Sequence, residues 1–416
     1  MSISSIKKLT NQIAHSSLGK FLTLYSSKVV SLFIGLATLS IWTRFFPIET
    51  YGTYQLFLSF LELLAVANLS GLDAVATQAG ALKQDGNFIA ATGIRIGVSA
   101  LIGILWVGIV LYKNMWEGTL FMAVPIVIVI ILNQTYSLSE NYLVGKGKIF
   151  TISMRDVFSK SVGFIVILFC GILAINKPVQ LFFIALLSAL AFKGAIMYNA
   201  YSGLQRKPVQ WNRLKFGLNL SFSEFLAIAV TALQKPLVNE FGTLKDVALF
   251  SVALTFYNQI KMAILSVIPV LYPQMTKLDS ISEVWKKTKR KILLFSGSFF
   301  TLCVILFFIL PFLIPLLVSR KYYAAIPYAQ WLILFTGINA VPALLRSMLS
   351  SQRRMKSIYM YDIGFPLLLI GLIALLLPQF GVWGMVAARG ASVFISTCFI
   401  IMLVYREIKN EIIKQN

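Results

Sequence analysis

The sequence predicts an all-α integral membrane protein with about twelve transmembrane helices, in two six-helix bundles around a central cavity. Three observations predict it. The 416 residues are 58% hydrophobic and 12% charged, with a mean hydropathy of +0.81, which leaves too little polar surface to cover a soluble core. Apolar runs recur along nearly the whole chain, each long enough to cross about 30 Å of hydrocarbon. Lys and Arg are abundant in one connection and scarce in the next. No alternating apolar pattern of the kind a membrane β-barrel needs is present.

In chain order the expected spans are 19–46, 54–79, 90–112, 118–144, 150–175 and 179–203, then 216–240, 246–272, 291–318, 323–350, 357–377 and 380–405. The first is longer than a signal-peptide core and lacks a small-residue cleavage site, so it reads as a span. The segment 204–215 divides the chain into 1–205 as an N-terminal six-helix bundle, 206–215 as a cytoplasmic linker and 216–416 as a C-terminal six-helix bundle. Equal helix counts suggest a parallel internal repeat. The other long connection, 277–290, is basic and amphipathic and is expected to lie on the inner membrane surface.

A formal charge of +22 would suggest a nucleic-acid partner in a soluble protein. Its distribution argues otherwise. The tails and alternate connections on one side hold 22 Lys and Arg, and the opposite connections hold 5. Such a bias over short loops places both termini in the cytoplasm. The partners expected of these bases are bilayer lipids with anionic headgroups, not nucleic acid.

Ten bases and six acids remain inside the spans. A charged side chain at mid-span costs about 2.5–3.5 kcal/mol even on the lenient insertion scale, so each needs a reason. Arg44, Arg95, Arg155, Lys193 and Arg346 lie near helix ends, where snorkelling is the expected reason. Lys28, Lys261 and Arg389 lie deeper, as do Glu62 and Glu224. In the first span Tyr25, Lys28, Ser31, Gly35, Thr38 and Trp42 share a face; in the seventh Ser221, Glu224, Ile228, Thr231 and Lys235 do. These polar stripes are expected to face a cavity. A competing reading makes the charges ion pairs that hold the bundle together, such as Lys28 with Glu62 or Glu224. It accounts for the acids better than for the excess of bases. A passage with surplus positive charge suits an anionic solute.

Chemistry-bearing motifs are missing. There is no phosphate-binding G-x-x-x-x-G-K-[ST] loop, no H-E-x-x-H and no G-x-S-x-G elbow. The one histidine, His15, is in the N-terminal tail. Cys170, Cys303 and Cys398 fall inside spans, without metal-ligand or disulfide spacing, and read as packing residues. The chain is therefore not expected to be an enzyme or to hold a metal.

Four segments together carry a resemblance. They are Tyr51-Gly52-Thr53-Tyr54 with Leu69-Ser70-Gly71-Leu72-Asp73; the stretch 244–277 with Leu271-Tyr272-Pro273; the stretch 317–327 with Tyr322-Tyr323-Ala324-Ala325; and 352–357 with Phe380-Gly381-Val382-Trp383-Gly384. In order and spacing they resemble the polysaccharide-export, O-antigen flippase (Wzx-type) family of the multidrug/oligosaccharidyl-lipid/polysaccharide (MATE-like) transporter superfamily. The glycine usual before the third segment is replaced by Ser319 and Arg320. The resemblance implies a flippase that moves an undecaprenyl-diphosphate-linked oligosaccharide across the bacterial cytoplasmic (inner) membrane by alternating access. It also implies polysaccharide polymerase and chain-length machinery as candidate partners. On this reading Lys28, Lys261, Arg389, Lys160 and Lys235 are the candidate substrate-binding cations. Glu62, Glu224 and Asp362 are candidates for coupling to H+ or Na+, with no other cofactor. The alternatives are a cation-coupled exporter of small drugs or metabolites on the same fold and, less well supported, a membrane glycan polymerase or glycosyltransferase.

Overall fold

In hydrocarbon a backbone N–H or C=O has no water to bond, so a lipid-exposed span must satisfy its own backbone as a helix. The computed structural model describes residues 17–64, 69–112, 119–173, 194, 196–205, 207–265, 268, 275, 278, 280–352 and 354–415, and every regular element among them is helical. The helices are α1 (Ser17–Phe45), α2 (Ile48–Leu64), α3 (Gly71–Ala81), α4 (Asp85–Tyr112), α5 (Thr119–Gly145), α6 (Ile149–Ile172), α7 (Trp211–Glu240), α8 (Leu244–Leu265), α9 (Ile281–Leu317), α10 (Ala325–Ser351) and α11 (Met355–Gln415). A 3-10 turn, Arg320–Tyr322, precedes α10. By length and composition, six helices among the described residues can cross a membrane; they lie in α4 and in α7 to α11.

Two expectations are corrected. The second expected span is not one helix: α2 and α3 are separate, and Leu69 before α3 adopts a left-handed φ of 45°. The basic stretch expected on the inner surface is, from Ile281 onward, the first turns of α9 itself. Ser280 caps that helix by accepting the Glu283 N–H, which starts it ten residues earlier than the apolar pattern alone suggests. The last two expected spans are two helices, as expected; they meet at the non-helical Gly381, whose φ of 54° a side chain rarely adopts, and the second continues to Gln415. Most of the sixth expected span, Lys193 included, lies outside the described residues.

The chain clusters into two compact units. The first contains 1–46 and 60–228, the second 47–59 and 229–416. Helix α7 thus supplies its first part to one unit and its second part to the other, and α2 is divided likewise. The division into bundles at 206–215 is drawn from loop length and charge, these units from packing.

In the first unit α1 packs along α6, and α3, α4 and α5 pack together. The core joins Leu72, Val75 and Ala76 of α3 to Phe88 of α4 and to Leu138 and Tyr142 of α5. Phe88 stacks on Tyr142 at 4.1 Å, and the Tyr142 hydroxyl donates to Asp85 at 2.5 Å. Helix α3 is rich in Gly and Ala because backbones touch there. A Cβ on Gly71 would lie 2.0 Å from the Gly217 carbonyl oxygen of α7.

In the second unit α10 packs against α8, α9 and α11. Here the segments that carried the resemblance find a physical meaning. Gly52 lets α2 approach the start of α8, since a Cβ would lie 2.2 Å from the Leu244 carbonyl oxygen. Next to it Tyr51 meets the fully buried Tyr322 edge to face, with ring centroids 6.0 Å apart. Motifs from three distant stretches thus meet at one end of this unit.

Candidate functional site

The second unit holds the best-formed candidate. Arg389 stands eight residues past the Gly381 kink, about 12 Å along the helix at 1.5 Å per residue. It is buried, yet it faces no carboxylate among the described residues. Its guanidinium donates to the side-chain oxygen of Gln234 on α7, from Nε at 2.8 Å and from a terminal nitrogen. It also lies over the ring of Tyr257 on α8, with the guanidinium carbon 4.7 Å from the centroid. Gln234 is 1% exposed, and its amide nitrogen has no partner among the described residues. A buried cation beside an unsatisfied buried donor is costly unless something with negative charge visits it. Cation–π contact and one amide oxygen stabilise the guanidinium without cancelling its charge.

Two further predicted bases lie on the same elements. Lys261 is one turn beyond Tyr257 on α8, so the two share a helix face, and it has no ion pair among the described residues. Lys235 follows Gln234 on α7 and donates to Gln55 of α2 at 2.9 Å. Arg389, Lys261 and Lys235 therefore stand on three helices of one unit, and along their own helices Lys261 and Lys235 lie within a turn of the residues that touch Arg389.

The other predicted residues sit elsewhere. Lys28 is in α1, but its side chain lies outside the described residues. Lys160 is exposed and paired with Asp156 one turn earlier on α6 at 2.9 Å; Ser31 also reaches that carboxylate, at 3.5 Å. Glu62 is exposed on α2. Glu224 accepts from Ser70 at 2.7 Å, just ahead of α3, where a negative charge favours a helix start. Asp362 is buried, and both its oxygens accept from Arg346 at 2.7 Å. Coupling through Asp362 would require that pair to open.

Two bases expected to snorkel do not. Arg346 turns to Asp362 instead of to the interface. Arg95 is fully buried in the first unit; it donates to Asp73 at 2.8 Å and to the backbone carbonyls of Leu69 and Gln134 at 3.1 and 3.2 Å. Sequence position alone missed this, because Arg95 lies near a helix end. The missing signal was the break before α3, where the Leu69 carbonyl accepts from both the Leu72 N–H and Arg95. Gln234 and Tyr257 were also missed, since neutral side chains carry no charge signal at depth.

No family model and no curated protein sequence matches the chain. Solved structures do. The chain superposes on an inward-facing multidrug resistance MATE family transporter of the MOP superfamily with a TM-score of 0.71 and 13% identity, over 94% of this chain and 99% of that one. The chain has a MATE-like membrane transporter fold. The same MATE-like fold relates it to a complex of the MATE multidrug transporter DinF-BH, with a TM-score of 0.67 and 14% identity over 92% of this chain and 95% of that one. It also relates it to the lipid II flippase MurJ in an inward closed conformation, with a TM-score of 0.66 and 14% identity over 95% of this chain and 91% of that one. At these identities the likeness concerns the fold of a multi-pass membrane protein and leaves the substrate to the side chains.

Proposed function

We propose that the protein is a flippase for an undecaprenyl-diphosphate-linked oligosaccharide at the bacterial inner membrane, working by alternating access with both termini in the cytoplasm. The observation that carries this reading is Arg389: a buried guanidinium held by an amide and an aromatic ring, with no carboxylate beside it among the described residues. A diphosphate needs compensating cations where low dielectric strengthens charge interactions, and Arg389, Lys261 and Lys235 can supply them without first breaking an acidic pair at Arg389. Lys28 and Lys160 are secondary candidates, the second because Asp156 already answers its charge. That the MATE-like fold includes a lipid II flippase supports a lipid-linked cargo. Glu62, Glu224 and Asp362 remain the candidates for H+ or Na+ coupling.

The rival reading, a cation-coupled exporter of small drugs, draws on the multidrug transporters of the same fold. It needs an acid at the deep site, where the described residues place Arg389. A deletion strain separates the two. Lipid-linked repeat units should accumulate on the inner leaflet and surface glycan should disappear, with drug sensitivity unchanged. Normal glycan display together with a large gain in drug sensitivity would favour the exporter.

A further inference from the structure

One end of the second unit carries a cationic rim that the transport reading does not use. Helix α9 runs for 37 residues, about 55 Å at 1.5 Å per residue, well beyond the roughly 30 Å of hydrocarbon. Its exposed stripe changes character within one turn. Lys286, Lys289 and Arg290 are exposed on it, and from there the exposed side chains become apolar: Leu293, Leu294, Phe300 and Leu302. The positions 286, 290, 293, 297 and 300 follow helical spacing, so basic and apolar parts belong to one face.

The neighbouring helix ends repeat the pattern. Lys356 at the start of α11, and Arg406 and Lys409 near its end, are exposed, and Met402 and Tyr405 are exposed beside the last two. One core gathers these ends, with Ile281 and Val284 of α9 packed with Met348 of α10 and with Ile358 and Val404 of α11. Local acids are already engaged. Glu411 accepts from Arg354 at 2.6 Å and from the Ser282 N–H at 3.0 Å; Glu407 accepts from Ser357 at 2.6 Å; and Glu283 accepts from Lys287 at 2.6 Å. Lys286, Lys289, Arg290, Lys356, Arg406 and Lys409 have no ion pair among the described residues.

We infer that this rim is a binding site for anionic phospholipid headgroups, with the apolar stripe beyond it holding the acyl chains. A plain solvated face would not switch to exposed Leu and Phe on the same stripe at the point where hydrocarbon must begin. Phosphate placed among six unpaired cations gains about 1 kcal/mol per base near a membrane surface, or roughly fivefold in affinity per charge.

The test is native mass spectrometry of the delipidated full-length protein titrated with cardiolipin, phosphatidylglycerol or phosphatidylcholine. Cardiolipin and phosphatidylglycerol should bind in preference to phosphatidylcholine. The triple variant Lys286→Gln, Lys289→Gln, Arg290→Gln should weaken them on the order of a hundredfold. A second variant on another helix, Lys356→Gln with Arg406→Gln, should weaken them on the order of twentyfold, and it serves if the triple variant does not fold. Lys245→Gln, exposed in a connection expected on the opposite side of the membrane, should change nothing. Equal binding of phosphatidylcholine, or unchanged cardiolipin binding in the folded rim variants, overturns the inference. So does undecaprenyl diphosphate binding that is lost in the rim variants while phospholipid binding is kept.

Discussion

Arg95 and Arg389 are both buried guanidiniums, and the difference between them separates structure from function. Arg95 is matched by Asp73 and two backbone carbonyls, so its role is to hold a broken span together. Arg95→Met should leave the half-buried Asp73 without its ion partner and with Ser137 beside it, at a cost of about 1–3 kcal/mol. It should lower the thermal midpoint of the purified protein sharply, and adding Asp73→Asn should recover most of the loss. Among the described residues Arg389 has no carboxylate to orphan, only the Gln234 amide oxygen. Arg389→Met should therefore cost no more than an orphaned Gln234 oxygen does, about 1–3 kcal/mol, recovered by adding Gln234→Leu, while transport falls roughly ten- to a hundredfold. A drop in stability that Gln234→Leu does not recover would make Arg389 structural. Lys160 offers a third case. Its pair with Asp156 lies mid-way along α6, within an expected span, so Lys160→Ala leaves that carboxylate uncompensated and should lower the thermal midpoint, whereas Lys160→Arg should not. The depth of Arg389 was legible in the sequence, because an arginine well inside an apolar run has few exits. Its neutral partners were not, since Gln234 and Tyr257 resemble many other polar residues in spans.

The helices were legible where hydropathy decides and misread where backbone geometry decides. Spans in α4, α7, α8 and α10 follow from apolar length alone. The break between α2 and α3 did not, because hydropathy runs through 54–79 while the chain turns at Leu69. The early start of α9 was hidden by its charges, which are compatible with helix but not with hydrocarbon. Close backbone approach gives a test at this scale. Gly71→Ala must push α3 from α7, because the new Cβ would sit 2.0 Å from a carbonyl oxygen, and it should cost at least about 1–3 kcal/mol as overpacking. Gly93→Ala in α4 meets no atom within 4 Å and should be neutral or slightly stabilising. Comparing the thermal midpoints of the two variants checks the packing directly. Equal midpoints would mean that α3 and α7 do not cross where described.

For the whole molecule, composition and the alternation of basic connections made a multi-pass helical protein legible, and likeness in fold to MATE transporters and MurJ agrees with it. The substrate was less legible, because one fold serves cargoes of opposite charge and only the side chains of the passage choose between them. The choice here rests on Arg389 and Lys261 of the second unit, which have no ion pair among the described residues. The most direct measurement is translocation of a fluorescent undecaprenyl-diphosphate-linked oligosaccharide in proteoliposomes, comparing the unaltered protein with Arg389→Met reconstituted to the same density. The account predicts protein-dependent movement between leaflets that Arg389→Met reduces at least tenfold. Movement at the unaltered rate in the folded variant, or none with the unaltered protein under any applied H+ or Na+ gradient, would contradict it.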